Sequence, residues 1–195
     1  TSKRTGATVN DVFMGLLMYG LGKELPDRFS RGRRNQLAIG SIINIRNHFG
    51  ANHQTNFGVY LAIFSVSCPI SSLNDLDDIL REVRRQTLEI KKGYLYLRSL
   101  LLIATGVFHR HFLDEEGRAQ NSRKNFPLAA GITNFFVDRF QGDLKDLPIS
   151  QYWRAVSVSP ATPLLLSLTT FRNQTCLMFI RDISLYSKEE IESVI

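Results

Sequence analysis

His109, His111, Asp114 and Glu115 lie close together in the chain, and imidazoles beside carboxylates are a donor set suited to a divalent metal. The surrounding sequence reads as a helix, where residues two apart point about 200° apart, so the two imidazoles do not converge on one ion. His48 and His53 flank Gly50 in a polar loop, a commonplace setting. Ser65, Ser67, Ser157 and Ser159 alternate along strand-like runs, without the sharp strand-to-helix turn that exposes a nucleophilic serine. Gly20-Leu21-Gly22 lies inside a helix end and lacks both a third glycine and a preceding strand, so it is no dinucleotide fingerprint. Cys68 and Cys176 sit in apolar runs with no metal spacing, where free cysteine packs as a small hydrophobe. A reduced, cytoplasmic setting follows, and the Asn173-Gln174-Thr175 sequon is then silent.

More informative are polar residues set into otherwise apolar elements: Asn10 and Asp11 at a helix start, Asn44 and Arg46 at a strand end, and Thr133 and Asn134 within a strand. Each has a structural reading beside a functional one. Asp11 stands three residues after Thr8, the spacing of a capping box, and Asn10 falls in the first turn. Asn44 and Asn134 are either buried amides with satisfied hydrogen bonds or groups facing a pocket. Arg46 suits a surface ion pair or a contact with a neighbouring lobe.

The elements that position these residues can be read from periodicity. Val12, Phe13, Leu16, Leu17 and Leu21 recur at helical spacing after Thr8, and Gly22 and Pro26 mark the helix's decline. Leu37 to Arg46 and Phe57 to Ser67 read as strands separated by a polar loop, with Pro69 ending the second. Asn74 or Asp75 caps a helix whose stripe is Leu76, Ile79, Leu80, Val83, Leu88 and Ile90, and another helix runs from about Leu97 to Phe112. Asp114 to Phe126 reads as a loop or frayed helix end. Ala129 to Val137 is a strand, Gln141 to Ile149 is turn-rich, and three strands follow at Tyr152 to Ser159, Leu164 to Phe171 and Thr175 to Ile183. The last two form a hairpin, and Ser187 with Glu190 opens a closing helix, Lys188 to Ile195. The order α-β-β-α-α-β-β-β-β-α is α/β (α+β two-layer), a mixed, largely antiparallel sheet with helices on one face, without Rossmann or TIM-barrel alternation.

The 44% hydrophobic and 22% charged composition supports a packed core in 195 residues, one domain or one lobe of a larger protein. The net charge of +6 suits nucleic acid, anionic lipid or a phosphate-bearing substrate. Its main patches are Arg28 to Arg34 and Arg81 to Arg98; the second is interleaved with Glu82 and Glu89, as on a solvated amphipathic helix, and no nucleic-acid motif accompanies it. The apolar run Leu95 to Phe108 is broken by Arg98, Ser99 and Gly106 and is too short to span a bilayer.

Four segments, in this order, resemble the C-terminal lobe of the condensation-domain superfamily, which includes peptide-synthetase condensation domains, wax ester synthase/diacylglycerol acyltransferases and alcohol acetyltransferase-like proteins. Gly6-Ala7-Thr8-Val9-Asn10-Asp11-Val12 is similar to its G-x-T-x-N-D-V helix start. Ile42-Ile43-Asn44-Ile45-Arg46 is similar to its V-N-x-R strand, with Asn56-Phe57-Gly58 close to the G-N-x-x-G that follows. Ile132-Thr133-Asn134 looks like its S-N-x-G strand, although Phe135-Phe136 replaces the glycine, and the final hairpin and helix match its end. The catalytic H-H-x-x-x-D-G, which the family carries in its N-terminal lobe, is absent.

What the resemblance implies is a chloramphenicol acetyltransferase-like lobe, residues 1–195, that completes a tunnel for acyl transfer from a thioester to an alcohol or amine. Acyl-CoA or an acyl-carrier thioester is then substrate, and no cofactor is bound. Asn10, Asp11, Asn44, Arg46, Thr133 and Asn134 would line or brace the tunnel, none as the base. The implied partners are an N-terminal lobe of the same protein, a small-molecule acyl donor and acceptor, and a carrier protein, with neither nucleic acid nor a transmembrane segment. The alternative is a non-catalytic domain of the same fold that binds a carrier protein, an acyl chain or a partner. An isolated lobe exposes its former interface, so self-association as a homodimer is expected.

Overall fold

Residues 6–30, 35–49, 58–125, 128–137 and 148–194 are described by the computed structural model. Arg31, Arg33 and Arg34 of the basic stretch, His53, the Asn56-Phe57 pair and residues 141–147 lie outside them, whereas Asp27 to Ser30, which read as the start of a polar loop, are helical.

The helix starts are built as their capping residues dictate. Helix α1 (Val9–Glu24) opens on a closed capping box: the Thr8 hydroxyl accepts from the Asp11 N–H at 3.2 Å, and the Asp11 carboxylate accepts from the Thr8 N–H at 2.8 Å. A short helix α2 (Pro26–Ser30) follows. Asp75 caps helix α3 (Leu76–Lys92), accepting from the N–H groups of Asp77 and Asp78. The buried stripe of α3 is Ile79, Leu80, Val83 and Thr87. Leu88, expected on that stripe, is exposed, because it sits about 100° around the helix from Thr87. Helix α4 (Arg98–Phe112) follows a 3-10 turn at Leu95–Leu97. The segment after Asp114, expected as loop or frayed end, is instead helix α5 (Glu115–Asn125). Asp114 accepts from the Gly117 N–H at 2.8 Å, and acidic residues in the first turn and basic ones in the last complement the helix dipole of a helix with no apolar face. Helix α6 (Lys188–Val194) carries a second capping box between Ser187 and Glu190.

Five strands, β1 (Gln36–Asn44), β2 (Leu61–Pro69), β3 (Ala130–Phe136), β4 (Leu164–Phe171) and β5 (Gln174–Arg181), form one mixed sheet in the order β2-β1-β3-β4-β5. The outer pairs are antiparallel and the inner pairs, β1 with β3 and β3 with β4, parallel. Arg172 and Asn173 turn β4 into β5 with φ of 48° and 62°, the two successive left-handed residues of a tight hairpin.

Beyond shifts of one or two residues, such as β5 ending at Arg181 rather than Ile183, strand limits differ from the sequence reading in three places. β1 ends at Asn44, and Arg46 lies in a 3-10 turn (Arg46–Phe49), because the Asn44 side chain accepts from the Arg46 N–H at 2.9 Å and bends the chain off the ladder. β2 starts at Leu61 rather than Phe57. Tyr152 to Ser159 alternates between exposed and half-buried residues, as a strand would, but joins no ladder among the described residues, where its pairing is the bridge from Ser159 to Thr162. Alternation reports an extended backbone lying on a surface. It does not supply a hydrogen-bonded neighbour.

Register fixes which side chains share a face. Leu37, Ile39 and Ser41 of β1 face the same side as Cys68, Val66 and Phe64 of β2, Ile132 of β3, and Leu166 and Leu168 of β4. Met14, Leu17, Met18 and Leu21 of α1 join these residues in the core. Helix contacts are close. A methyl added at Gly15 would come within 2.6 Å of Leu80, and one at Gly20 within 2.9 Å of the Val194 carbonyl, which sets α3 and α6 directly against α1. The opposite face carries Gly131, Thr133, Phe135, Ser167 and Thr169, over which the 148–163 segment runs, with Thr162 packed where a side chain at Gly131 would go.

Strand β2 is an edge, and helices shield it. Gln86 of α3 accepts from the Ser67 N–H at 3.1 Å and donates to the Ser67 carbonyl at 2.7 Å, while the Ser99 hydroxyl accepts from the Ile63 N–H at 2.9 Å. Three outward backbone groups that could pair with a foreign strand are thereby occupied.

Candidate functional site

Asn10 is a strut between helix and sheet. Its amide nitrogen lies 3.1 Å from the Ser41 Oγ, and the Ser41 hydroxyl lies 3.3 Å from the Asn10 Oδ1. Ser41 is 2% exposed, so this pair satisfies a hydroxyl that would otherwise be stranded in the core. Asp11 is spent on its capping box, with its second oxygen, Oδ1, buried and unpartnered. Gly6 precedes both with φ of 62°, and an added Cβ there would come within 2.8 Å of the Arg84 guanidinium. The glycine of the opening motif is thus required by backbone conformation and by lack of space.

Thr133 and Asn134, adjacent in sequence, face opposite sides of the sheet. Asn134 is exposed and stands on the α1 side, two residues beyond Ile132, which pairs with Ser41. It therefore shares the face and the end of the sheet to which the Asn10–Ser41 strut is anchored. Thr133 is buried on the other face and accepts a hydrogen bond from Arg154 Nη2 at 2.6 Å. Arg154 stacks 4.6 Å over the Phe135 ring, and burial pushes its guanidinium below the usual value. Its Nε is buried without a partner, as is the Oγ of Ser167, the register partner of Thr133.

Asn44 and Arg46 lie at the far end of β1 from Gln36. Arg46 donates from Nη2 to the Gly58 carbonyl at 3.1 Å and stacks 4.3 Å over the Tyr60 ring, holding the approach to β2 against the 3-10 turn. Beside them His48 Nε2 lies 2.7 Å from the Tyr96 hydroxyl, and Tyr94 packs edge-on against both rings. Tyr94 has φ of 51°, an uncommon backbone for a bulky residue. Burial, and then Tyr94, holds the Tyr96 phenol above its usual range.

The structure brings together Asn10 with Ser41, Asn44 with Arg46, and Thr133 with Arg154, and it places Asn134 on the face of the first pair. Ser41, Tyr96 and Arg154 were not picked out from sequence. Ser41 sits among isoleucines as a strand residue would, and Arg154 lies in an alternating run. Only a contact across the fold gives either one a role. Neither His48 nor His111 bonds a carboxylate, and no group of three or more His, Cys, Asp or Glu gathers as a metal site among the described residues.

A groove of about 1250 Å³ lies where α4 and the end of α5 approach β1 and β2. Ile63, Leu102, Ile103 and Leu128 supply apolar walls, with Arg123 and Lys124 at one side.

No family model and no curated protein matches the chain. Solved structures do. Vinorine synthase superposes with a TM-score of 0.52 at 11% identity, over 95% of this chain and 40% of its own. The epimerization domain from the third module of tyrocidine synthetase B superposes with a TM-score of 0.48 at 16% identity, over 99% of this chain and 40% of its own. The chain thus spans about 40% of the length of each. Its fold is part of a CoA-dependent acyltransferase-like fold, as the sequence signatures led one to expect.

Proposed function

We propose that residues 1–195 are the C-terminal lobe of an acyltransferase or condensation enzyme, which moves an acyl group from a CoA or carrier-protein thioester to an alcohol or amine. The supporting observation is the likeness to 40% of vinorine synthase, a chain whose name denotes a synthase. Acyl transfer needs a base at the acceptor and donors at the developing oxyanion. In this reading the histidine comes from an N-terminal lobe. Asn134 faces the channel, the Asn10–Ser41 strut and the Asp11 cap hold α1 beside it, Thr133 fixes the covering segment through Arg154, and Asn44 with Arg46 shapes the far end of β1.

The test is turnover of acyl-CoA with alcohol and amine acceptors. The chain alone is expected to be inert, and a protein joining it to a lobe that carries H-H-x-x-x-D-G to be active. Turnover by the chain alone would sink the half-enzyme reading. The apolar groove favours a second reading, a domain that binds an acyl chain, a carrier protein or a partner without catalysis; it gains if the joined protein binds acyl-CoA and turns none over.

A further inference from the structure

Across residues 150–158, no backbone N–H or carbonyl is hydrogen-bonded to another backbone group among the described residues. Side chains hold the segment instead. At its start Arg172 Nη1 donates to the Ile149 carbonyl at 2.8 Å, and the Tyr152 and Phe171 rings lie 6.4 Å apart. Its far end is fixed through backbone groups: Ser159 and Thr162 bond each other, and the Pro163 carbonyl accepts from the Asp182 N–H at 2.8 Å. Between these anchors the side chains turned inward, Tyr152, Arg154, Val156 and Val158, are half-buried. A stretch with no ladder and little buried apolar area belongs to the low end of local stability.

What lies beneath is polar. Thr133, Ser167 and Thr169 share that face of the sheet, and all three are buried. Covering them is costly, because the Ser167 Oγ and the Arg154 Nε are buried without a hydrogen-bond partner. Both groups are hydrated once the segment lifts, which narrows the gap between covered and uncovered states. Arg154 makes no ion pair among the described residues; its guanidinium rests on the Phe135 ring and on Thr133. That charge-assisted bond to the Thr133 Oγ1 is, among the described residues, the one hydrogen bond from residues 150–158 to the sheet.

We propose that residues 150–158 form a strap, latched by Arg154 on Thr133, that lifts between its anchors and uncovers the Thr133–Ser167–Thr169 stripe while the rest stays folded. This goes beyond the acyl-transfer reading, in which the segment need only cover the sheet. Trypsin tests it on the full chain, because the protease takes the arginine side chain itself into its specificity pocket. The bond after Arg154 is therefore cut only when that side chain has left Thr133. Mass spectrometry follows the fragment that begins at Ala155. The native protein should be cut at a rate that stays flat in urea below the unfolding transition, as a local opening requires. Thr133→Val removes the acceptor and should speed the cut about tenfold, and Ser167→Ala removes the orphaned hydroxyl and should slow it about fivefold, both with native circular dichroism. A cut that climbs with urea as steeply as global unfolding overturns the proposal, as does a folded wild type left whole after Arg154. So do equal rates in Thr133→Val and wild type; if that variant does not fold, the urea dependence of the wild type decides. Since no turnover is read, failure here leaves the acyl-transfer test standing.

Discussion

At the scale of single residues, the polar side chains that stand out in the sequence divide by what they touch. Asn10 was open to two readings, a first-turn helix residue or a channel residue, and its bonds to Ser41 make it a helix-to-sheet strut. Replacing it with alanine strands a hydroxyl that is 2% exposed, for which the expected cost is about 1–3 kcal/mol. Urea denaturation of Asn10→Ala measures that cost, and a double variant with Ser41→Ala should recover part of it, because both partners are then gone. An Asn10→Ala protein as stable as the wild type would remove the strut. Asn134 makes the opposite case. It is exposed, so its replacement should leave stability within about 0.5 kcal/mol. The two amides look alike in sequence. A cross-fold partner distinguishes them, and no local pattern encodes one.

At the scale of elements, legibility follows how local the cause is. The capping boxes at Thr8 and Ser187, the Asp75 cap and the turn at Arg172-Asn173 are written within four residues each, and all were readable. Helix α5 was not, since Gly117 and an evenly polar surface hide a helix held by its cap and terminal charges. The 148–158 segment, which joins no ladder among the described residues, was not readable either, because alternation is the same with or without a ladder. The guard on the β2 edge is another long-range device, and it is sensitive to acid. Glu82 accepts from Arg85 and from the Gln86 amide, and the Arg85 hydrogen bond is the chief reason its carboxyl falls to about 2. A depressed folded pKa supplies stability above the ordinary carboxylate range and loses it as pH falls towards 2. Gln86→Ala should therefore speed amide exchange at Ser67 at neutral pH, by about tenfold for each 1.4 kcal/mol of local protection lost. In the wild type the same amide should lose protection as the pH is lowered from 4.5 towards 2. Unchanged exchange at Ser67 in the variant would show that the edge is guarded by something else.

At the scale of the whole molecule, β3 holds a position that its short sequence hides. Each outer strand pair is local and antiparallel, whereas β3 joins β1 and β4 by parallel pairings across long sequence separations. One side of it carries β1, β2, α1 and α3; the other carries β4 and β5, with α6 and the Tyr186 bond to the Ala129 carbonyl as a second tie. Ile132 is 1% exposed at the middle of this strand, opposite Ser41 on one neighbour and Leu166 on the other. Ile132→Ala should cost about 2–5 kcal/mol through lost burial and a cavity. Val66→Ala, at a fully buried site on β2, should also destabilise, but within one half. The two differ in cooperativity. Trp153, the single tryptophan, lies in the segment over the β3–β5 side, whereas far-ultraviolet circular dichroism is weighted towards α1, α3 and α4. Wild type and Val66→Ala should give coincident urea transitions by both probes, and Ile132→Ala should separate them, because weakening β3 uncouples the halves it joins. Coincident transitions in Ile132→Ala would mean that α6 carries the coupling, and the sheet's central strand would then be a filler between two halves already locked together.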